Sequence, residues 1–518
     1  MADADDTLPQ GARRWTLVVT VLASSLVIID VTAMNVIVPD IQADLGATIG
    51  EMQWVIAAYT LFLSSVMLTG GALADRYGRR RLLGLGTVLF ATASLAAGLA
   101  PGAVSLIVAR AFQGLGGALL VPGSLSLLGA AYSGEDRGRA IGVWSGASAL
   151  MAVIGPVAGG ILADLASWRW LFFINVPLGI LILVPLILRV PESRDEESAG
   201  RLDLTGAALA TSGLAGITFG LIHAGSAGWL DPVVLGAFVA GILILGAFIT
   251  HEKHTAHPML PLRLFRHRDF SLSNLLTFFV YAALAAGMFF IPMRLILLEG
   301  YRPAYAGLAM LPVVLMIGLL SPGMGTLSAR YGRIQLIAGP ILVAIGYGLL
   351  VLPGMHPSYW TGHLPGLLAI GLGMGLVAAP VANVVLSSVP KRHVGLASGV
   401  NNAVSRVSAL FAIALSGTIA LGAFGHFLAP ALDDIALEQE ERETAWQERV
   451  DLADAEPPQA LDPHEAGQVT MAYDRAFLFA YRVVQGTMGA FAATGAAIAL
   501  FLSRGSARRH PETPTPAM

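Results

Sequence analysis

Cysteine is absent from all 518 residues. Disulfides, thiol nucleophiles and thiolate metal sites are therefore excluded. Charge is scarce as well: Asp, Glu, Lys and Arg make up 13% of the chain, against about 25% in a typical soluble domain. Much of the surface must face something other than water. The net charge of −3, with no large basic segment, leaves no footprint for a nucleic-acid partner. No Gly-x-x-x-x-Gly-Lys-Ser/Thr loop occurs, which excludes an ATP-driven pump. No catalytic constellation, metal cluster or cofactor motif is evident, so the expectation is a non-enzyme without cofactors. The polar start Met1–Gln10 leads into an apolar run that lacks a small-residue cleavage pattern at its end. That run is expected to be a retained helix rather than a signal peptide.

What is present is apolar: 55% of residues are hydrophobic, and there are 59 glycines. Small residues let membrane helices approach closely where no hydrophobic effect drives them together. A spanning helix needs about 20 mostly apolar residues. Runs meeting that test lie at roughly 15–38, 53–73, 82–100, 103–127, 140–163, 169–188, 204–222, 232–250, 270–291, 304–322, 334–353, 364–387, 395–421 and 476–502. The expected fold is thus an all-α integral membrane protein of fourteen transmembrane helices. Arginines such as Arg13, Arg76, Arg79, Arg80, Arg137, Arg201, Arg268, Arg330 and Arg504 fall on one side of these spans. The other side receives only Arg169, Arg294, Arg302, Arg442, Arg449 and Arg475. By the positive-inside rule both termini are cytoplasmic.

The hairpin Gly71-Ala72-Leu73-Ala74-Asp75-Arg76-Tyr77-Gly78-Arg79-Arg80-Arg81 has an echo in Gly323-Met324-Gly325-Thr326-Leu327-Ser328-Ala329-Arg330-Tyr331-Gly332-Arg333. Each copy follows the second helix of a six-helix unit, and internal repeats of this kind are the usual build of secondary transporters. The expected organisation is an N-terminal bundle (1–190), a linker with two extra helices (191–268), a C-terminal bundle (269–505) and a tail (506–518). Within the last bundle, 424–475 reads as an extracytoplasmic loop with thirteen acidic residues and three arginines. Ala436–Ala453 is its helical stretch, ended by Pro457-Pro458. Two readings stay open for the loop: a solvated cap without a specific role, or an acidic collar that attracts cations.

Ionisable groups deep in a membrane are costly and mark function. One carboxylate, Asp30, reads as lying well inside a span, about 12 Å below Val38 at 1.5 Å per residue. Arg110 lies at a similar depth on a helix that enters from the same face. Matched depths allow a charge pair that loads and releases a proton as the bundles rock, burial raising the carboxylate's pKa and the arginine lowering it. A static structural ion pair is the plain alternative. Asn35, Tyr59, Gln113, Trp144, Tyr281, Phe289, Asn402 and Arg406 are candidates for a substrate pocket, with packing or lipid contact the competing role for the aromatics.

The set of motifs resembles the major facilitator superfamily, and within it the fourteen-span drug:proton antiporter branch often called the EmrB/QacA type. Arg110-Ala111-Phe112-Gln113-Gly114 resembles the fourth-helix motif of proton-coupled members. Gly146 with Gly155-Pro156-Val157-Ala158-Gly159-Gly160 resembles the fifth-helix antiporter motif. Ile29-Asp30-Val31-Thr32 and Trp168-Arg169-Trp170 resemble the first-helix and sixth-helix signatures of the branch. The resemblance implies two six-helix bundles plus two central helices. It implies export of an amphipathic, cationic drug or antiseptic in exchange for protons, across the inner membrane of a bacterium. A dedicated exporter of one metabolite or antibiotic is the same-class alternative, and an uptake symporter is disfavoured by Gly155-Pro156. Gly71, Asp75, Arg76, Gly78 and Arg79 would form a latch that ties helix ends together in one state and releases them in the other. The implied partners are the small substrate, protons and the lipid bilayer. A periplasmic adaptor and outer-membrane channel are not evident from the sequence. Unlike some multidrug members, the chain has no acidic residue in 304–322, which argues against divalent substrates.

Overall fold

The computed structural model describes residues 9–132, 134–194, 203–256, 258–355, 357–389 and 394–502. The tail 506–518 and positions 195–202 of the linker lie outside the described residues. Every regular element described is helical: α1 (Gln10–Leu45), α2 (Ile49–Tyr77), α3 (Arg79–Gly98), α4 (Ala103–Ala131), α5 (Gly134–Leu165), α6 (Arg169–Phe173), α7 (Asn175–Arg189), α8 (Leu204–Ala227) and α9 (Pro232–His254) come first. α10 (Arg268–Met293), α11 (Pro303–Ala309), α12 (Leu311–Val351), α13 (Tyr359–Gly362), α14 (Leu364–Ser387), α15 (Val394–Asp433), α16 (Gln439–Gln447) and α17 (Pro463–Ala499) follow.

Local chemistry sets several of these boundaries. α1 ends where Gly46 takes a positive φ of 57°, a conformation that costs glycine least. α2 starts with a capping box, Thr48 N donating to Glu51 Oε2 at 2.9 Å and Glu51 N to Thr48 Oγ1 at 3.3 Å. α17 starts likewise, with Asp462 and Glu465 closing the box around Pro463. Among the described residues, twelve helical stretches are long and apolar enough to cross a bilayer. They do not include α2 or α17, which are 29 and 37 residues long. α17 carries Asp474, Arg475 and Arg482 along its length, and these charges dilute its hydropathy.

Helix ends depart from the sequence expectation. α15 runs on to Asp433 and α17 begins at Pro463, so the connection expected over 424–475 spans only 434–462. At the start of α17 helical hydrogen bonding runs through polar residues that hydropathy excludes, whereas the extension of α15 is itself largely apolar and buries Phe424, Leu428 and Leu432. The expected helix Ala436–Ala453 is instead α16 followed by a 3₁₀ turn, Glu448–Asp454. α12 keeps helical hydrogen bonding through the expected hairpin around Gly323–Arg333. Even so, Gln335 Nε2 donates to Met324 O at 3.1 Å. A straight helix would hold those residues about 16 Å apart, so the chain turns back there.

α1, α3, α4, α5 and α7 pack on one another with α2, and α10, α12, α14, α15 and α17 form a second group. α8 and α9 pair, and α8 lies against both α2 and α15. The two groups meet through α5 on α11, α2 on α15 and α1 on α10. At the α5–α11 seam Arg302 Nε donates to Asp164 Oδ1 at 3.0 Å.

Candidate functional site

Five helices converge on one buried polar network in the first group. Arg110 Nη1 donates to Asp30 Oδ2 at 2.5 Å and to Gln113 Oε1 at 2.6 Å. Gln113 Nε2 donates to Asp30 Oδ1 at 2.8 Å and to Ser94 Oγ at 2.9 Å. Asn175 Nδ2 extends the chain to Ser94 Oγ at 3.3 Å, and Arg110 Nε donates to Val55 O at 3.2 Å. The side chains of Asp30 and Arg110 are 0% and 1% exposed. The pairing expected from matched depth is therefore present as a direct contact. Arg110 and Gln113 are three residues apart and share one face of α4. Gly114 lets α4 approach the backbone of Tyr59 on α2, where any Cβ would collide. That approach sets the Arg110 guanidinium 4.2 Å from the centroid of the Tyr59 ring, a cation–π contact.

The chemistry follows from donors and acceptors. Both Asp30 oxygens accept hydrogen bonds, the pattern of an ionised carboxylate. Adding a proton would turn one acceptor into a donor facing Arg110, and the network would have to rearrange. A buried network of this kind has high stakes, because each unpaired member is expensive in a low-dielectric interior.

Other candidates from the sequence distribute differently. α15 of the second group packs on α2, and the charge of its Arg406 is near enough to act on Tyr59. Trp144 is half-buried and donates from Nε1 to Ser24 Oγ at 2.8 Å. Asn35 and Tyr281 are half-buried, and Asn402 is exposed with its carbonyl accepting from Ser405 Oγ at 2.8 Å. Phe289 is fully buried and packs edge-to-face on Phe290, 5.1 Å centroid to centroid.

The fifth-helix glycines act mainly through close approach. A Cβ at Gly155 would meet Thr32, one at Gly159 would meet Ala33, and one at Gly160 would meet the Pro303 carbonyl. Pro156 O is in turn approached by Gly307. This strip thus holds α5 against both α1 and α11, while Gly146 faces open space. In the loop signature, Gly78 has φ 111° and lies against the Glu192 carboxylate. Arg80 N donates to Glu192 Oε1 at 3.0 Å, and Arg80 Nη1 to Val190 O at 3.1 Å. Arg79 N bonds Ser193 O at 3.0 Å, and the exposed Arg76 lies 5.5 Å from the Tyr77 ring. The hairpin is thereby tied to the end of α7 by Glu192, which sequence reasoning passed over. The surroundings of Gly71 and Asp75 lie outside the described residues.

A second buried carboxylate was also missed, so Asp30 is not alone. Glu299, 3% exposed, accepts from Arg294 Nε at 2.8 Å and from His363 Nε2 at 2.9 Å. Arg294 Nη2 donates to Gly354 O at 2.7 Å, and its guanidinium lies over Tyr481 at 4.8 Å. Glu299 follows the end of an apolar run, where hydropathy places residues in the headgroup zone. The π-helical turn Arg294–Leu298 folds it inward.

The model of the Major Facilitator Superfamily matches residues 20–413. The chain is 35% identical over 427 residues to the puromycin resistance protein pur8 of Streptomyces alboniger, covering 81% of this chain and 84% of that one. It is 30% identical over 520 residues to the tetracenomycin C resistance and export protein of Streptomyces glaucescens, covering 98% and 95%. It is 31% identical over 420 residues to the multidrug resistance protein Stp of Mycobacterium tuberculosis, covering 81% and 78%. Among solved structures, a bacterial homologue of the human lysosomal transporter Spinster superposes with a TM-score of 0.65. That likeness covers 95% of this chain and 98% of the other at 16% identity, and it bears on the fold alone.

Proposed function

The chain belongs to the major facilitator superfamily and is a multi-pass membrane transporter rather than an enzyme, and on that premise we propose that it exports amphipathic cationic drugs or antiseptics in exchange for protons. The observation that carries this reading is the buried Asp30–Arg110–Gln113 network, a titratable carboxylate held by a cation where five helices meet. The names of its relatives, resistance and export proteins in several bacteria, support the direction of transport. A dedicated exporter of one antibiotic is the second reading, favoured by relatives named for puromycin and tetracenomycin. In this reading α2 and α17 also cross the bilayer, for fourteen spans. Arginine asymmetry puts both termini in the cytoplasm and the 434–462 connection outside. The membrane is the cytoplasmic membrane of a bacterium, no cofactor is needed, and the proton gradient supplies the work.

Substrate charge provides the test. Asp30 can neutralise one positive charge, and Arg406 adds a repulsive charge nearby. A second substrate charge would be left unpaired at a penalty of several kcal/mol. In inverted membrane vesicles with an imposed proton gradient, a monovalent quaternary ammonium dye should be transported, and collapse of the gradient should stop it. A matched divalent cation should be transported at least about tenfold more slowly, the ratio that 1.4 kcal/mol gives. Transport indifferent to the gradient, or preference for the divalent member, would overturn the reading.

A further inference from the structure

Part of the 434–462 connection is docked on the helices. Ala445 and Leu452 are fully buried. Tyr473 Oη of α17 donates to Ala445 O at 2.8 Å. On the other side of the seam, Gln42 Nε2 of α1 donates to Asp451 O at 3.0 Å. The 3₁₀ turn Glu448–Asp454 also touches α2, α15 and the π-helical turn after α10. Leu452 takes φ 54°, an unusual backbone for a branched residue, and its buried side chain holds the turn in place. One strap thus joins elements of both halves across the end that the arginine asymmetry puts outside.

We propose that this strap is an extracytoplasmic proton-binding latch: protons taken up by the carboxyl groups around Asp451 dock it across both halves and close the outer face.

The electrostatics supply the sign. Burial, then the nearby Glu448, Asp454 and Glu51, push Asp451 up to about 6. Burial and Glu456 raise Asp454 as well. The charged groups facing this turn are mostly acidic. α2 presents Glu51, the strap itself Glu448, Asp454 and Glu456, and α17 presents Tyr473 beside Glu448. α1 offers the neutral Gln42, and Asp433 at the end of α15 is paired with Arg442 at 3.5 Å. In the π-helical turn, Arg294 is engaged by Glu299. Arg449 donates to Trp446 O at 2.9 Å and lies over the Trp446 ring at 4.6 Å. Among the described residues it forms no ion pair with these carboxylates. The undocked, hydrated Asp451 returns to its ordinary 3.8. Docking is therefore fully favoured below that value and is progressively lost as the external pH rises through about 6. Gln42, whose amide holds the Asp451 carbonyl, is itself buried, so the strap carries the Asp451 backbone into the seam on the α1 side.

This inference rests on the proton-exchange reading for its purpose. An exporter that has released substrate outside must take a proton before it turns back, and a strap that closes only when protonated blocks the empty return.

The absence of cysteine makes the test clean. In the full-length protein in oriented vesicles, a membrane-impermeant maleimide is applied from the strap side to Ala445→Cys. Its labelling rate is divided by that of the exposed Gln439→Cys to cancel the thiol's own pH dependence. The ratio should rise at least about fivefold from pH 5 to pH 8, with a midpoint near 6, as a raised carboxyl in the docked state requires. Asp451→Asn should keep the ratio low throughout. Glu51→Gln, which retains the helix cap, should lower the midpoint. A ratio that does not vary with pH, or the same midpoint in Asp451→Asn, overturns the latch. Because labelling needs no transport, gradient-independent export with a pH-dependent ratio would sink the proton-exchange reading and leave the latch standing. Gradient-driven export with a flat ratio would do the reverse.

Discussion

Asp30→Asn is expected to abolish uphill export, leaving efflux at the level of vesicles without transporter, while the protein still inserts and folds. The substitution keeps the shape and removes the only carboxylate of the network. The amide that replaces it can neither take up nor release a proton, so the cycle has nothing to exchange for substrate. Folding survives because Arg110 keeps two acceptors, Gln113 Oε1 and Val55 O, and the face of Tyr59. Downhill exchange of substrate and equilibrium binding should persist. Measurement in proteoliposomes, with the amount of inserted protein fixed, separates these outcomes. Uphill efflux at the wild-type rate would show that coupling resides elsewhere, with Glu299 and His363 as the next candidates.

Arg110→Ala should stop coupled export too, and it should be the more damaging variant for stability. It strands Asp30 at 0% exposure and removes bonds to Gln113 and Val55. Breaking a buried pair by deleting one partner costs about 3–5 kcal/mol. Asp30 keeps Gln113 Nε2 as a hydrogen-bond donor but loses the cation that answers its charge, so the exchange cycle loses the partner it works against. Arg110→Lys keeps the charge but presents a point donor in place of a planar fork that bonds two side chains and a carbonyl at once. It should therefore fold nearly normally and retain partial activity. Thermal unfolding in detergent and gradient-driven efflux together test the order. Full activity of Arg110→Ala in a well-expressed sample would remove the pair from the mechanism.

How much of this was legible in the sequence depends on which force sets each feature. Burial of apolar runs in lipid is a local property of composition, and the helical core of each expected span appears in the fold. Helix ends were misread at Pro463–Arg475, where polar residues carry hydrogen bonding ahead of the apolar run, and at Ala423–Asp433, an apolar stretch interrupted by Gly425, His426 and Pro430 that nonetheless stays helical. The Asp30–Arg110 contact was readable because helix rise converts residue number into depth. Ser94 and Asn175 were not, since small polar residues in a span give no signal of the neighbour they meet. Glu299 was missed for a related reason: its burial comes from a π-helical turn. The docking of the strap was not legible, because its acidity is visible in composition while the burial of Ala445 and Leu452 depends on both halves of the fold.

The most direct test of proton exchange through Asp30 is proton release by the purified protein in weakly buffered detergent solution, followed with a pH indicator as a monovalent lipophilic cation is added. Brought first to the proton-loaded state at acid pH, the wild-type protein should release about one proton per substrate bound, because the two compete for a single carboxylate, and Asp30→Asn should bind the cation and release none. Binding without proton release in the wild type, or equal release from Asp30→Asn, would contradict the account.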